Sequence, residues 1–311
     1  MLIIDAHCDT ALSSLDQKAD LYENNCQLDL KRLLGSYQRV QFFAAFANPK
    51  KYMNNTLTRV LSILDYVNVA QEQHCDKMSI CLNAHDIEKT IASGKVAAVL
   101  SVEGGEALNG ELSLLRQLYR LGVRSMLLAW NHRNLLADGT EEMYGAGLSE
   151  FGRQVVAEMN RLGMIVDVSH LCEASFNDVL QLSSEPVIAS HSNAKAVCDH
   201  ARNLSDSQLT DIKSNAGVVG INFYPYFLNN TEKASIEDVV KHIEHICSIT
   251  GEDHIGIGTD FDGIECVPVG LEGPHCMSAL FDRLFQLNYS SSFIEKFAGL
   301  NLLRVINQIL I

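Results

Sequence analysis

The stretch SEFGRQVVAEMNRLGMIVDVSHLCEASFNDVLQLSSEPVIASHS, residues 149–192, decides the fold. It reads as helix, strand, helix, strand. Ser149–Leu162 carries apolar residues at helical spacing, and Gly163 is its stop signal. Met164–His170 is a short run rich in β-branched residues and reads as a strand. Glu173–Leu182 repeats the helical pattern, and Val187–His191 repeats the strand.

The same alternation fills the chain in both directions. Further strands are expected at Leu2–His7, Val40–Phe46, Val96–Glu103, Val123–Trp130, Gly217–Phe223 and His254–Asp260. Most are near-continuously apolar, as in a parallel sheet covered on both faces. Helices are expected at Thr56–Cys75, Leu112–Leu121, Ser205–Ser214, Ser235–Ile249, Met277–Gln286, Ser291–Ala298 and Asn301–Ile311. Eight strands alternating with helices over about 260 residues is the arithmetic of a (β/α)8 barrel. The fold class is therefore α/β, a TIM-type barrel. A doubly wound open sheet is second, and it lacks its G-x-G-x-x-G signature after the first strand. No linker rich in Pro, Gly or Ser interrupts the pattern, so residues 1–311 read as one domain. The irregular stretches Pro225–Ala234 and Gly263–Cys276 follow late strands and are expected over the barrel mouth.

Composition narrows the function. The 311 residues carry 24 basic and 38 acidic side chains, a net charge of −14. That balance speaks against nucleic acid or an anionic membrane surface as partner. No apolar run reaches the roughly 18 residues of a spanning helix. The opening MLIIDAHCDT has neither the basic region nor the cleavage site of an export signal. The nine cysteines are odd in number and show no C-x-x-C spacing. A disulfide framework and a cysteine-based zinc site are both disfavoured, and reduced thiols in the cytoplasm are expected.

Ligand-type residues gather where the strands stop. His7 and Asp9 lie two apart, so strand alternation points both to one side and Cys8 to the other. Glu103 is followed by two glycines; His170 and His191 close two further strands; Asp260-Phe261-Asp262-Gly263 closes the last, where alternation gives Asp262 the facing of Asp260 and Gly258 and Gly263 are expected to leave room for the carboxylate. Each signal alone is weak. Together, five strands present imidazoles and carboxylates on the face of the barrel that carries catalysis. The set suits a divalent transition metal held by N and O ligands, and one Glu can bridge two ions about 3.5–4 Å apart. His242 and His245, three apart on an expected helix, read as solvated.

At these residues the sequence resembles the membrane (renal) dipeptidase family, metallopeptidases with an amidohydrolase-like barrel. The resemblance runs in family order through IDAHCDT, VEGG, LAWNHRN, VDVSH, ASHSNA, ARNLSD, GINFYP and GIGTDFDG, from residue 4 to 263. It implies a zinc dipeptidase with two Zn2+ per chain. His7, Asp9 and Glu103 would hold one ion; Glu103, as bridge, would hold the other with His170 and His191. Asp260 matches the catalytic aspartate, a proton shuttle to and from a metal-bridging hydroxide. Arg202 matches the arginine that receives the substrate's C-terminal carboxylate. Asn222 and Tyr224, in GINFYP, are implied substrate contacts.

One position departs from the family. A substrate-contacting His follows the strand Val123–Trp130 in family members, and ungapped alignment puts Trp130 there. His132, two residues on, would face the same way if the strand continued. The chain resembles the soluble microbial branch, with a dipeptide as substrate, a homodimer as the assembly some members adopt, and no membrane or nucleic-acid partner. Two alternatives stand beside this reading: another amidohydrolase-type reaction such as deamination or lactone hydrolysis, and a non-catalytic metal-binding relative.

Overall fold

The computed structural model describes residues 1–52 and 55–311. Nine parallel strands are formed among them: β1 (Ile3–Cys8), β2 (Gln38–Phe46), β3 (Met78–Ile80), β4 (Val96–Glu103), β5 (Val123–Leu127), β6 (Ile165–Asp167), β7 (Ile188–Ala189), β8 (Val218–Ile221) and β9 (Ile255–Ile257). Eight of them close into a barrel in the order β1-β2-β4-β5-β6-β7-β8-β9, with β9 pairing back onto β1. The TIM-type expectation holds. β3 is an addition: it pairs with Met78 to Ile80 against Val96 to Ala98 of β4, below the point where β5 joins.

Local signals explain where the helices start and stop. Ser149 accepts a hydrogen bond from Gly152 N–H and caps the helix Glu150–Leu162. Gly163 ends it at φ 71°, a left-handed conformation that costs glycine nothing. Ser205 and Gln208 form a reciprocal capping box on Asp206–Ser214. Among the described residues five α-helices lie outside the sequence-based expectation: Thr10–Gln17, Leu30–Leu34, Ala84–Ala92 and the short Pro49–Tyr52 and Pro225–Asn229.

Alternate positions of β4 show how the barrel is layered. Ala97 and Val99 belong to an apolar group with Phe42, Ile165, Ile188 and Val218. That group also contains Leu302, Val305 and Ile306, so the helix Asn301–Ile309 closes the lower end. Each such buried aliphatic side chain contributes on the order of 1.5–3 kcal/mol. Two strand steps above Ser101 on the same face, Glu103 opens onto the upper end. One end of the barrel is thus packed dry, and the other is left for polar side chains.

The late strands are shorter than expected, and beyond β6 and β9 the chain turns out of the ladder at functional residues. His170, Asp260 and Asp262 have φ of 67°, 63° and 68°. This left-handed conformation costs a residue with a β-carbon about 1–2 kcal/mol. Strand alternation therefore stops before Asp260, and the shared facing expected for Asp260 and Asp262 does not hold. His242 also differs from its solvated reading. It is fully buried, its Nδ1 accepting from Ala194 N–H at 3.0 Å while Nε2–H donates to the Leu228 carbonyl at 2.9 Å. It ties the helix Ile236–Thr250 to the loop carrying Ala194 and to the short helix Pro225–Asn229. His245, by contrast, pairs at the surface with Asp206 at 2.7 Å.

Candidate active site

The strand ends bring six ligand-type side chains together. His7 lies on β1, Asp9 just beyond it, Glu103 ends β4, and His170, His191 and Asp260 follow β6, β7 and β9. All six are buried. His7 Nε2 is 3.3 Å from Asp9 Oδ2, 3.3 Å from Glu103 Oε2 and 3.8 Å from Asp260 Oδ1. The other oxygen of Glu103, Oε1, is 3.1 Å from His170 Nε2. His170 Nε2 is 2.8 Å from His191 Nε2. Cys8 points the other way, into the core, as alternation requires.

Two carboxylates beneath the cluster hold its backbone in place. Asp5 accepts from Thr259 N–H at 2.9 Å and from its hydroxyl at 2.6 Å, tying β1 to the turn that carries Asp260. Asp167 accepts from Ser169 N–H at 3.0 Å and Ser190 N–H at 3.1 Å, and Ser169 Oγ accepts from His191 N–H at 3.1 Å. Burial pushes both carboxyls up. Sequence reasoning passed over them. Their signal was a lone Asp within an otherwise apolar strand run, where only a bonded carboxylate is tolerated.

The electrostatics follow from burial and neighbours. Burial works against Glu103 as an anion, yet the neighbouring His7 outweighs it and the carboxyl is held well below its ordinary range. Burial likewise opposes a charge on His7, but Glu103 and Asp9 keep that imidazole well above its usual value. Burial, followed by the Arg202 charge, takes His170 down to about 3. Burial and the neighbouring His7 hold His191 well below its usual range. Asp9 is raised to about 6 by burial and by Glu103, and Asp260 to about 7, chiefly by burial.

This donor set fits divalent cations. The Nε2 atoms of His170 and His191, two imidazoles that burial holds below their usual range, face each other and a Glu103 oxygen, so three ligand-type atoms converge where one cation would take them all. The buried Asp9 Oδ1 has no hydrogen-bond partner among the described residues. Ligand atoms of His7, Asp9 and Glu103 lie within 4.8 Å of one another, as do those of Glu103, His170 and His191. Glu103 is common to both groups. Gly263 keeps the space open: a β-carbon there would lie 2.4 Å from Asp9 Oδ2 and 2.5 Å from Asp260 Oδ1. Gly258, read from sequence as making room for the carboxylate, serves something else. Its β-carbon would strike the Ser190 carbonyl at 1.6 Å, so it permits close strand approach.

Beside the cluster lies a pocket of about 280 Å³. Trp130, Arg202, Tyr224, Phe227 and Ile264 are among its walls. The loops after β8 and β9 thus stand over the mouth, as expected. Arg202 is 5% exposed, donates from Nη2 to the His191 carbonyl at 3.2 Å, and keeps a buried Nε without a partner among the described residues. Burial lowers its guanidinium to about 10. Asn222 lies deeper and donates to Asp260 Oδ2 at 2.9 Å. His132 is not among the pocket's lining residues. The strand ends at Leu127, and His132 turns to Glu141, with Nε2 3.2 Å from Oε2. Asp262 accepts from Thr10 Oγ1 at 2.5 Å and from Gln27 N–H at 2.6 Å, fastening a loop instead of meeting His7.

Comparison with known proteins gives the same constellation a setting. A family model described as membrane dipeptidase, peptidase family M19, matches residues 1–310. The dipeptidase tcpJ of Claviceps purpurea is 36% identical over 293 residues, covering 91% of this chain and 69% of that protein. An uncharacterised dipeptidase of Schizosaccharomyces pombe is 37% identical over 295 residues, covering 90% of this chain and 72% of its own. A metallopeptidase from Rhodobacter sphaeroides, crystallised with a phosphinate mimic of the dipeptide L-Ala-D-Ala, superposes with a TM-score of 0.93 at 28% identity, covering 99% of each chain.

Proposed function

The chain belongs to the membrane dipeptidase family, peptidase family M19, and on that premise we propose that it is a two-zinc dipeptidase acting on dipeptides with a free C-terminal carboxylate. It is a metallopeptidase by membership; zinc, the count of two and each residue's role are the proposed part. The observation that carries the reading is Glu103, whose two oxygens face different histidines, His7 and His170.

His7 and Asp9 would hold one ion, His170 and His191 the other, and Glu103 both. Two divalent ions supply Lewis-acid polarisation of the scissile carbonyl and a water acidified toward neutral pH. The protein's own residues do the rest. Asp260 Oδ1 accepts the proton of the attacking water and returns it to the leaving amine, while Asn222 occupies Oδ2 and keeps the carboxylate turned inward. Arg202 pairs with the substrate's terminal carboxylate; buried and with a free Nε, it is placed to form a desolvated fork. Trp130, Tyr224 and Phe227 form the aromatic side of a pocket of about 280 Å³, which limits substrate length and excludes water. The phosphinate bound by the Rhodobacter sphaeroides relative supports dipeptides as the substrate class.

We propose further that residues 1–311 form one domain and that the protein works in the cytoplasm, its nine free thiols suiting a reducing environment. No helix among the described residues is long and apolar enough to cross a membrane. A homodimer is the proposed assembly, and sedimentation of the purified protein checks it. The deciding assay is a panel of L-Ala-L-Ala, L-Ala-D-Ala and their C-terminal amides, with metal content measured on the same samples. Hydrolysis of the free acids alone is expected. Equal cleavage of the amides, or none of the free acids, would overturn the reading.

A further inference from the structure

The side chain of Asn131 lies between two groups that fix which way round its amide sits. Its Nδ2 is 2.9 Å from Glu141 Oε1, and its Oδ1 is 2.6 Å from His170 Nδ1. An ionised carboxylate only accepts, so the group facing Glu141 is the NH2 and the group facing His170 is the carbonyl. A carbonyl also only accepts. His170 Nδ1 therefore carries the proton, and Nε2, toward Glu103 Oε1 at 3.1 Å, carries the bare lone pair.

Glu141 is itself held. Its Oε2 lies 3.2 Å from His132 Nε2, and its backbone N–H donates to the Asn131 carbonyl at 2.8 Å. His191 has no such device: its Nδ1 meets the Ser190 hydroxyl at 2.8 Å, a group that donates or accepts equally well. The chain from Glu141 through Asn131 thus ends on one imidazole and dictates one tautomer.

We propose that Asn131, oriented by Glu141, is a positioning residue that holds His170 as its Nδ1–H tautomer and so keeps Nε2 available to a metal ion. The proposal rests on the reading of His170 as a metal ligand. A partner on the distal nitrogen fixes ring orientation and raises ligand basicity, and its loss typically costs about 10–100-fold in metal affinity.

The test follows the histidine nitrogens of the 15N-labelled full-length protein by long-range proton–nitrogen correlation while Zn2+ is added. Zinc affinity is measured in parallel by chelator competition. In the wild type, His170 is expected with its proton on Nδ1 and with Nε2 responding to zinc. Asn131→Leu removes the acceptor and is expected to weaken zinc binding by about 10–100-fold. The paired swap Asn131→Asp with Glu141→Gln keeps an acceptor at His170 and a donor beside it, and is expected to restore most of the affinity. A wild-type His170 protonated on Nε2 overturns the proposal without any variant. So does wild-type affinity in Asn131→Leu, or a paired swap no better than the Leu variant. Zinc binding with no response at His170 overturns the ligand assignment, and the proposal with it.

Discussion

Asn222 donates its side-chain amide to Asp260 Oδ2 at 2.9 Å, and that bond decides which oxygen of the aspartate is free. The free atom is Oδ1, which faces His7 at 3.8 Å and the space over Gly263. Asp260→Asn is expected to lower kcat by about 10²–10⁴-fold, the range for a lost general base, with bound metal near wild type. Asp262→Asn is the control. It loosens the bonds to Thr10 and Gln27, so it should lower the melting temperature more than the chemical step. Equal loss of metal and rate in Asp260→Asn would reassign it as a principal ligand.

Arg202 is expected to set substrate length. Arg202→Ala should raise KM for free dipeptides and abolish the preference for the free acid over the amide. Truncating one partner of a buried charge pair costs about 2–5 kcal/mol in binding. Arg202→Lys should recover only part of this, because an ammonium cannot form the two-pronged contact. Parallel kinetics on L-Ala-L-Ala and its amide give the answer.

Gly263→Ala is expected to impair metal binding without unfolding the protein. The position is exposed, yet its β-carbon would crowd Asp9 Oδ2 at 2.4 Å and Asp260 Oδ1 at 2.5 Å. Elemental analysis after dialysis against a weak chelator should find less metal than in wild type, with a melting temperature of the metal-free protein close to wild type. Full metal retention would show that the two carboxylates yield freely.

The metal-free protein should carry a pH signature of Asp260. Its folded value, about 7, lies above the ordinary 3.8, mainly through burial. The folded state therefore holds more protons than the unfolded one across that window, and this group's contribution to stability falls as pH rises through it. Asp260→Asn removes the effect. The stability of the variant relative to wild type, both metal-free, is expected to climb from pH 4 to pH 7 and level off above. Chemical denaturation at several pH values measures the difference; a flat difference would show that Asp260 is not raised.

The barrel was legible in the sequence because buried strands between covering helices are near-continuously apolar. What was missed has a local reason. β3 is three residues long, too short for any period to appear. The helix Ala84–Ala92 begins with Asn83 accepting from Asp86 N–H, but its apolar face holds little more than Ile87 and Ile91. The metal-type ligands were legible because they sit at strand ends, where alternation is reliable for His7 and Asp9. It failed for Asp260 and Asp262, where left-handed turns redirect the chain. The condition set for His132, a strand that continues, is not met: β5 ends at Leu127 and the following loop places the imidazole 3.2 Å from Glu141. Asn131 gave no sequence signal at all, because its role depends on which atoms Glu141 and His170 present to it.

The most direct test of a two-metal dipeptidase is a zinc titration of the metal-free protein, with turnover of L-Ala-D-Ala and bound zinc recorded at each step. Activity is expected to rise until two zinc ions are bound per chain, and Glu103→Gln, with one bridging oxygen replaced by an amide, should lose affinity for both. Full activity at one ion, or turnover by the metal-free protein, would contradict the account.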